Sequence, residues 1–545
     1  MEAQINRLST YRSFRILLIL SLALLVMVSL SACGPAPGPA KKAVSSRYGG
    51  TINYFLGEPV AIDPAFVTDG EGIEVAKQLF DGLVDYDPKT LALKPAVARR
   101  WRSNKAGNEW TFWLRRGVRF HDGREVTARD FIYAWERVAA KKTGSEVAYH
   151  LAPIKGFAAM QKGRTAHLTG LSAAGKYILK VKLNYPFADF PVTLGHPVFS
   201  PAPKAAVAKG KLKYGDMPVG NGPFAMDGAW RHEKGIALKR FKRYYAAKPY
   251  LDGVNFKIFN NQQAGFLDFN GGGLDYAPIP QGQIKATLTQ FGSRAIVGRP
   301  QLVLNFFGLN LRKAPFKGNV PLGQAINYAV NRNAIATNIY EAAYLPAGGI
   351  VPPAIQDYKR PSDAYTYSPA KAKRLLKEAG YPGGKGLPTL KLIYGAGRGY
   401  EEPAQVVQEN LRSLGVNVEL EGLEFGAFIE AMGKGNMSIF AASWQGDYPL
   451  RDSFLWPLFY SKSSDNMVGF ADKKIDSRLL AARKEPNAAK RRRLYDQVEV
   501  DVLNKAPIVP FVYVGTSVIH SARVKGFVRT GLDYTPLDRV WLTKD

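Results

Sequence analysis

One cysteine in 545 residues, Cys33, rules out any disulfide within the chain and sets the terms on which it can fold. Small exported domains use disulfides where their cores are too thin to hold. A chain without that option must bury enough apolar surface instead, and this one is 46% hydrophobic. A single core rarely grows beyond ~250–300 residues, so two or three domains are expected over this length.

The position of Cys33 carries a second message. Arg7, Arg12 and Arg15 precede an apolar run over residues 16–30, which ends in Leu30-Ser31-Ala32-Cys33. A basic start, a short apolar stretch and small residues at its end make a secretory signal. The run is shorter than the ~20 apolar residues that a membrane span needs. Leu30-Ser31-Ala32-Cys33 looks like a lipobox, which implies cleavage before Cys33 and acylation of its thiol. Residues 1–32 are therefore expected to be a signal peptide, and 33–47 a lipid-anchored linker. Gly34-Pro35-Ala36-Pro37-Gly38-Pro39-Ala40 contains no side chain large enough to join a core. Its prolines favour an extended spacer of ~3 Å per residue. Two acyl chains suffice for stable attachment. The expected location is extracytoplasmic and lipid-anchored to the cell membrane, in the periplasmic space or on the outer face according to the envelope.

The formal charge of +29 raises nucleic acid as a partner. Export argues against it, and no nucleic acid is expected. Runs such as Lys490-Arg491-Arg492-Arg493 read as solvated helix faces, with non-specific attraction to anionic head groups or wall polymers.

The apolar pattern is mixed. Trp110, Phe112 and Leu114 recur with period two, as do Tyr177, Leu179, Val181 and Leu183, so both stretches read as half-buried strands. Thr127-Ala128-Arg129-Asp130 opens a helix in the manner of a capping box, and Phe131, Trp135 and Val138 follow at helical spacing. Ser368-Pro369 opens another, which Gly380 closes. From 390 to 442 the pattern alternates: strand 390–394, helix 403–414, strand 416–420, helix 425–432, strand 437–442. Short joins in that series predict an α/β domain with parallel pairing.

Catalytic signatures are missing. No Gly-x-Ser-x-Gly elbow, His-Glu-x-x-His helix or phosphate-binding loop occurs. The six histidines, His121, His150, His167, His196, His232 and His520, lie far apart and never at close ligand spacing. Each reads as structural, and neither a metal nor a cofactor is expected.

Several segments, in order, carry a family resemblance. They include Leu79-Phe80-Asp81-Gly82-Leu83, Trp110-Thr111-Phe112-Trp113-Leu114-Arg115, Phe120-His121-Asp122-Gly123 and Thr127-Ala128-Arg129-Asp130-Phe131. Gly220-Asn221-Gly222-Pro223-Phe224, the stretch from Ala325 to Arg332 and that from Ala370 to Tyr381 continue the series. The chain resembles the oligopeptide and dipeptide solute-binding proteins of bacterial ABC importers over nearly all of its mature length.

That resemblance implies an α/β, two-lobed periplasmic-binding-protein-like fold with a hinge and an extra inserted domain. Domain I would comprise 48–80, 206–301 and 515–545, domain II 81–205, and domain III 302–514, with the hinge near Gln301 and Val514. The implied function is a monomeric, non-enzymatic receptor that binds peptides between the lobes and delivers them to ABC transporter permease subunits. Relatives on this scaffold also carry nickel complexes, haem, sugars or opines. A lipid-anchored enzyme or a chaperone-like peptide binder is the alternative of another class. In peptide-binding members an aspartate pairs with the ligand α-ammonium, and Trp444-Gln445-Gly446-Asp447-Tyr448 matches that pattern. Thr68, Asp69 and Gly70 match the strand-pairing edge, while Tyr149 and Tyr513 lie near positions where relatives place aromatics around the ligand, and the aligned positions themselves hold Val147 and Val514. Two departures stand out. Leu322-Gly323-Gln324 replaces arginines, and Leu450-Arg451 introduces a cation that could recruit an anionic group.

Overall fold

The computed structural model describes residues 47–543 other than 436. Cys33, the signal segment and the linker up to residue 46 lie outside them. No helix among the described residues is long and apolar enough to cross a membrane.

The period-two stretches become strands. In Glu109–Leu114, Trp110, Phe112 and Leu114 are buried and the residues between them are half-buried. This strand pairs antiparallel with Ala98–Ser103 and Ile178–Lys182, and Leu171–Ala173 completes a separate four-stranded sheet. Helix Ala128–Ala139 packs on it through Phe131, Trp135 and Val138. Burying each large side chain there contributes about 1.5–3 kcal/mol. The Asp130 carboxylate accepts from the Thr127 amide at 2.8 Å, the reach-back half of a capping box. The indole of Trp135 donates to the Phe199 carbonyl at 2.9 Å, so its burial leaves no orphan donor.

The alternating series from 390 also forms as its pattern predicts. Strands Leu390–Gly395, Val418–Leu423 and Ile439–Gln445 are separated by helices Glu401–Arg412 and Phe425–Lys434. Leu390–Gly395 is central and runs parallel to both neighbours. Ser368 caps helix Pro369–Glu378 by accepting from the Lys371 amide.

Two long antiparallel strands, Ala295–Leu309 and Ile508–His520, join this region to the strands near the amino terminus. Their outer ends pair with Ile439–Gln445 on one side and Tyr276–Pro278 on the other. Thr51–Leu56, Gly253–Ile258, Gly235–Arg240 and Phe224–Met226 extend the sheet further. The register between the two long strands shifts between Val297 and Pro300, and again between Pro300 and Leu304. At that crossing Pro300 lies opposite Gly515. A Cβ on Gly515 would sit 1.9 Å from the Ala343 carbonyl oxygen, so only glycine allows this approach. The molecule is a mixed α/β, two-lobed fold.

Candidate functional site

The turn after Ile439–Gln445 is held rigidly from beneath. Gly446 donates to the Leu302 carbonyl at 2.8 Å, and the Asp447 amide donates to Ser453 Oγ at 3.0 Å. The Trp444 indole donates to the Ser453 carbonyl at 2.7 Å. Asp452 begins the next helix, Asp452–Phe459, with no exposed surface. Arg483 engages it through two bonds of 2.8 Å, and the hydroxyls of Tyr448 and Tyr495 donate to it at 3.0 and 2.9 Å. A carboxylate so enclosed is stable only because every lone pair is matched.

Above this platform lies a cavity of about 380 Å³. Thr68, Asp69 and Gly70 line it from the start of helix Gly70–Leu79, Val147 and Tyr149 from the turn Glu146–Leu151, and Trp444 and Asp447 from the strand end. Seven of the nine residues chosen from the sequence therefore meet at one place. Their individual work differs. Asp69 caps the helix, accepting from the Gly72 amide at 2.8 Å and the Val60 amide at 3.1 Å. Gly70 also borders a second cavity, of about 330 Å³, which reaches Gln301 and Val514 at the strand crossing.

Tyr448 and Tyr513 do not line the cavity. Tyr448 turns down to Asp452, and Tyr513 is buried in the core beside Leu304 and Leu345. Arg451 is also withdrawn from any anionic ligand. Its guanidinium pairs with Asp496 at 2.7 Å and donates to the Asp357 carbonyl at 3.0 Å. The basic run at 490–493 is not uniformly solvated either, because Arg491 reaches Asp189 at 2.6 Å.

Two residues escaped sequence reasoning. His150 and His196 are buried in the cavity wall, with ring centroids 4.4 Å apart, and Tyr149 stacks on His150 at 4.3 Å. Burial pulls both imidazoles down to about 3, so they are neutral near pH 7. His150 Nε2 lies 3.9 Å from Asp447 Oδ2, a proximity between a neutral ring and a carboxylate rather than an ion pair. The Tyr149 hydroxyl donates to the same oxygen at 3.4 Å. Burial raises the Asp447 carboxyl above its ordinary range. Lys77 also lines the cavity, but its ammonium is held by Asp85 at 2.8 Å. Asp447 is thus a partly exposed acid without a lysine or arginine ion-pair partner among the described residues.

Residues 92–466 match the family described as bacterial extracellular solute-binding proteins, family 5. The chain belongs to that family. Among its relatives, the oligopeptide-binding protein OppA of Bacillus subtilis is 28% identical, with 94% of this chain and 97% of that protein aligned. The probable deoxycholate-binding periplasmic protein YgiS of Escherichia coli is 30% identical, over 90% of this chain and 93% of its own. The structure of the E. coli murein tripeptide-binding protein MppA superposes with a TM-score of 0.77 at 27% identity, covering 91% of this chain and 98% of that one. DppA of Helicobacter pylori, solved in complex with the peptide STSA, gives 0.76 at 26% identity over 92% and 99%. These family 5 relatives are named as binding proteins rather than enzymes.

Proposed function

We propose that this protein is an extracytoplasmic, lipid-anchored receptor that binds peptides in the cavity at Asp447 and delivers them to the permease of an ABC importer. The observation that carries this reading is the partly buried Asp447 carboxylate, which has no lysine or arginine pairing with it among the described residues. A peptide α-ammonium entering the cavity loses hydration, and a fixed carboxylate replaces it with a charge-assisted hydrogen bond. The neighbouring strand end at Trp444 and the helix start at Thr68 and Gly70 offer main-chain groups to an extended ligand, which favours affinity over side-chain reading. Relatives named for oligopeptides, dipeptides and murein peptides point the same way.

On this reading the lobes divide as 48–80, 206–301 and 515–545 for domain I, 81–205 for domain II and 302–514 for domain III. The register shifts at Pro300 support a hinge near Gln301 and Val514. Tyr149 and Asp447 already meet across the cavity at 3.4 Å, so a ligand entering there would take the place of that contact.

A calorimetric cycle tests the chemistry. Asp447→Asn keeps the side chain's size and removes its charge, so free peptides should lose about 2–5 kcal/mol, or roughly 30- to several-thousand-fold in affinity. Acetylating the peptide amino terminus should cause a similar loss. The two changes should be non-additive, because each removes the same interaction. Unchanged binding of free peptides to Asp447→Asn would overturn the assignment.

A further inference from the structure

His150, His196 and Asp447 each place a ligand atom within 4.8 Å of the other two. His150 Nε2 has essentially no exposed surface and no hydrogen-bond partner. A buried, unpaired nitrogen costs about 1–3 kcal/mol, and native structures retain few without a purpose. The nearest polar atom across from it is Asp447 Oδ2 at 3.9 Å, beyond hydrogen-bond reach, and the Tyr149 hydroxyl donates to that same oxygen at 3.4 Å.

We propose that His150, His196 and Asp447 hold a divalent transition-metal ion of the zinc, nickel or copper class, with its remaining coordination positions open to the amino terminus of a bound peptide. This rests on the cleft reading given above but hands the Asp447 carboxylate to the ion in place of the α-ammonium, and the metal site does not require the cargo to be a peptide.

The donor set selects the ion. Two imidazole nitrogens and one carboxylate oxygen are the ligands of a three-residue site that keeps a position free. Imidazole suits zinc, copper and nickel, whereas calcium and magnesium seek oxygen shells.

The rearrangement required is local. In a tetrahedral site with bonds of ~2.0–2.1 Å, ligand atoms stand ~3.3 Å apart. Asp447 Oδ2 must therefore approach His150 Nε2 by less than an ångström from its present 3.9 Å. The stacked rings, inclined by 24°, must also turn so that their lone pairs converge. His196 Nδ1 now accepts from the Val198 amide at 3.2 Å, which leaves the ring proton on Nε2. With Nε2 as the ligand atom, that proton moves to Nδ1, and the ring must turn away from the Val198 amide because two N–H groups cannot face each other. When a peptide joins, its α-ammonium releases one proton to solvent and the resulting amine binds the ion. The histidines come from the segment 81–205 and Asp447 from 302–514, so the ion would clasp the two sides of the cavity.

The test uses the full-length protein with Cys33→Ser, which removes the one thiol that could bind metal. After EDTA treatment and buffer exchange, zinc sulfate and nickel chloride are titrated by calorimetry, and stoichiometry is read by elemental analysis after dialysis. One equivalent is expected. His150→Ala and His196→Ala should each weaken binding by at least ~10-fold, the loss that even an outer partner of a metal ligand causes. His150→Gln, which keeps a polar group in the wall, should do the same and guards against misfolding. Absence of stoichiometric uptake, or uptake unaltered by these substitutions, would overturn the proposal. Peptide titration in EDTA separates the two readings: peptide bound without metal uptake sinks only the metal site, and metal bound without peptide sinks only the peptide receptor.

Discussion

Arg483 grips Asp452 through two parallel hydrogen bonds of 2.8 Å, although Asp452 has no exposed surface. Asp452 lies five residues after Asp447 and opens the helix to which the Asp447 turn is tied through Ser453. Removing one partner strands a buried charge, at a cost of about 3–5 kcal/mol. Arg483→Met should therefore lower the urea midpoint sharply, and peptide affinity should fall with it. Wild-type stability in Arg483→Met would show that the pair does not support the turn.

A second buried acid contributes to the pH response, alongside Glu74 and Asp81, which burial also pushes up to about 7. Burial pushes Glu499 up to about 7, although it accepts from the Ile350 and Val351 amides at 2.7 and 2.9 Å. Its folded pKa lies above the unfolded value of 4.5, so the folded state binds the extra proton more tightly. The protonated form thus adds stability that is complete below about pH 4.5 and lost as pH rises through about 7. Its full size is on the order of 3 kcal/mol. Glu499→Gln should flatten this component of the pH–stability curve between pH 5 and 8, as read by urea unfolding at a series of pH values. A slope identical to the parent's would refute the assignment.

The parts legible in the sequence were those with a local cause. The alternation from 390 to 442 shows because strand and helix periods differ, and capping residues mark Thr127 and Ser368. The long strands were harder to read, since Gly298 and Pro300 interrupt them and both their faces are largely buried. Tyr513 was chosen for its place in the chain, but successive strand residues face opposite ways: Val514 borders the second cavity while Tyr513 enters the core. His150 and His196 carried no spacing signal at all. Only the packing of the turn Glu146–Leu151 against the residues around Pro197 brings their rings together.

The proposed lipid anchor yields a prediction independent of the cavity. On the lipobox reading, Cys33→Ser should abolish acylation and, once the signal segment is removed, shift the chain out of the membrane fraction. Fractionation with intact mass measurement checks this. Membrane retention of an unacylated Cys33→Ser chain would contradict the lipobox reading.

The strand crossing makes the last prediction. Ligand that touches both sides of the cavity stabilises a closed state only by binding it better than the open one. If the lobes rotate about Gln301 and Val514, small-angle scattering should show a smaller radius of gyration with saturating peptide than without. Gly515 sits at that crossing, where a Cβ would meet the Ala343 carbonyl oxygen at 1.9 Å. Gly515→Ala must push the Ala343 segment away from the strand crossing, an overpacking that costs about 1–3 kcal/mol. It should lower Tm and reduce the ligand-induced contraction, while leaving the Asp447 turn in place. The contrast with Asp447→Asn is what makes the pair informative. Asp447→Asn should weaken binding but contract fully once saturated, whereas Gly515→Ala should bind and contract less. If Gly515→Ala closes as far as the parent does, the motion pivots elsewhere and the crossing is a passive strut.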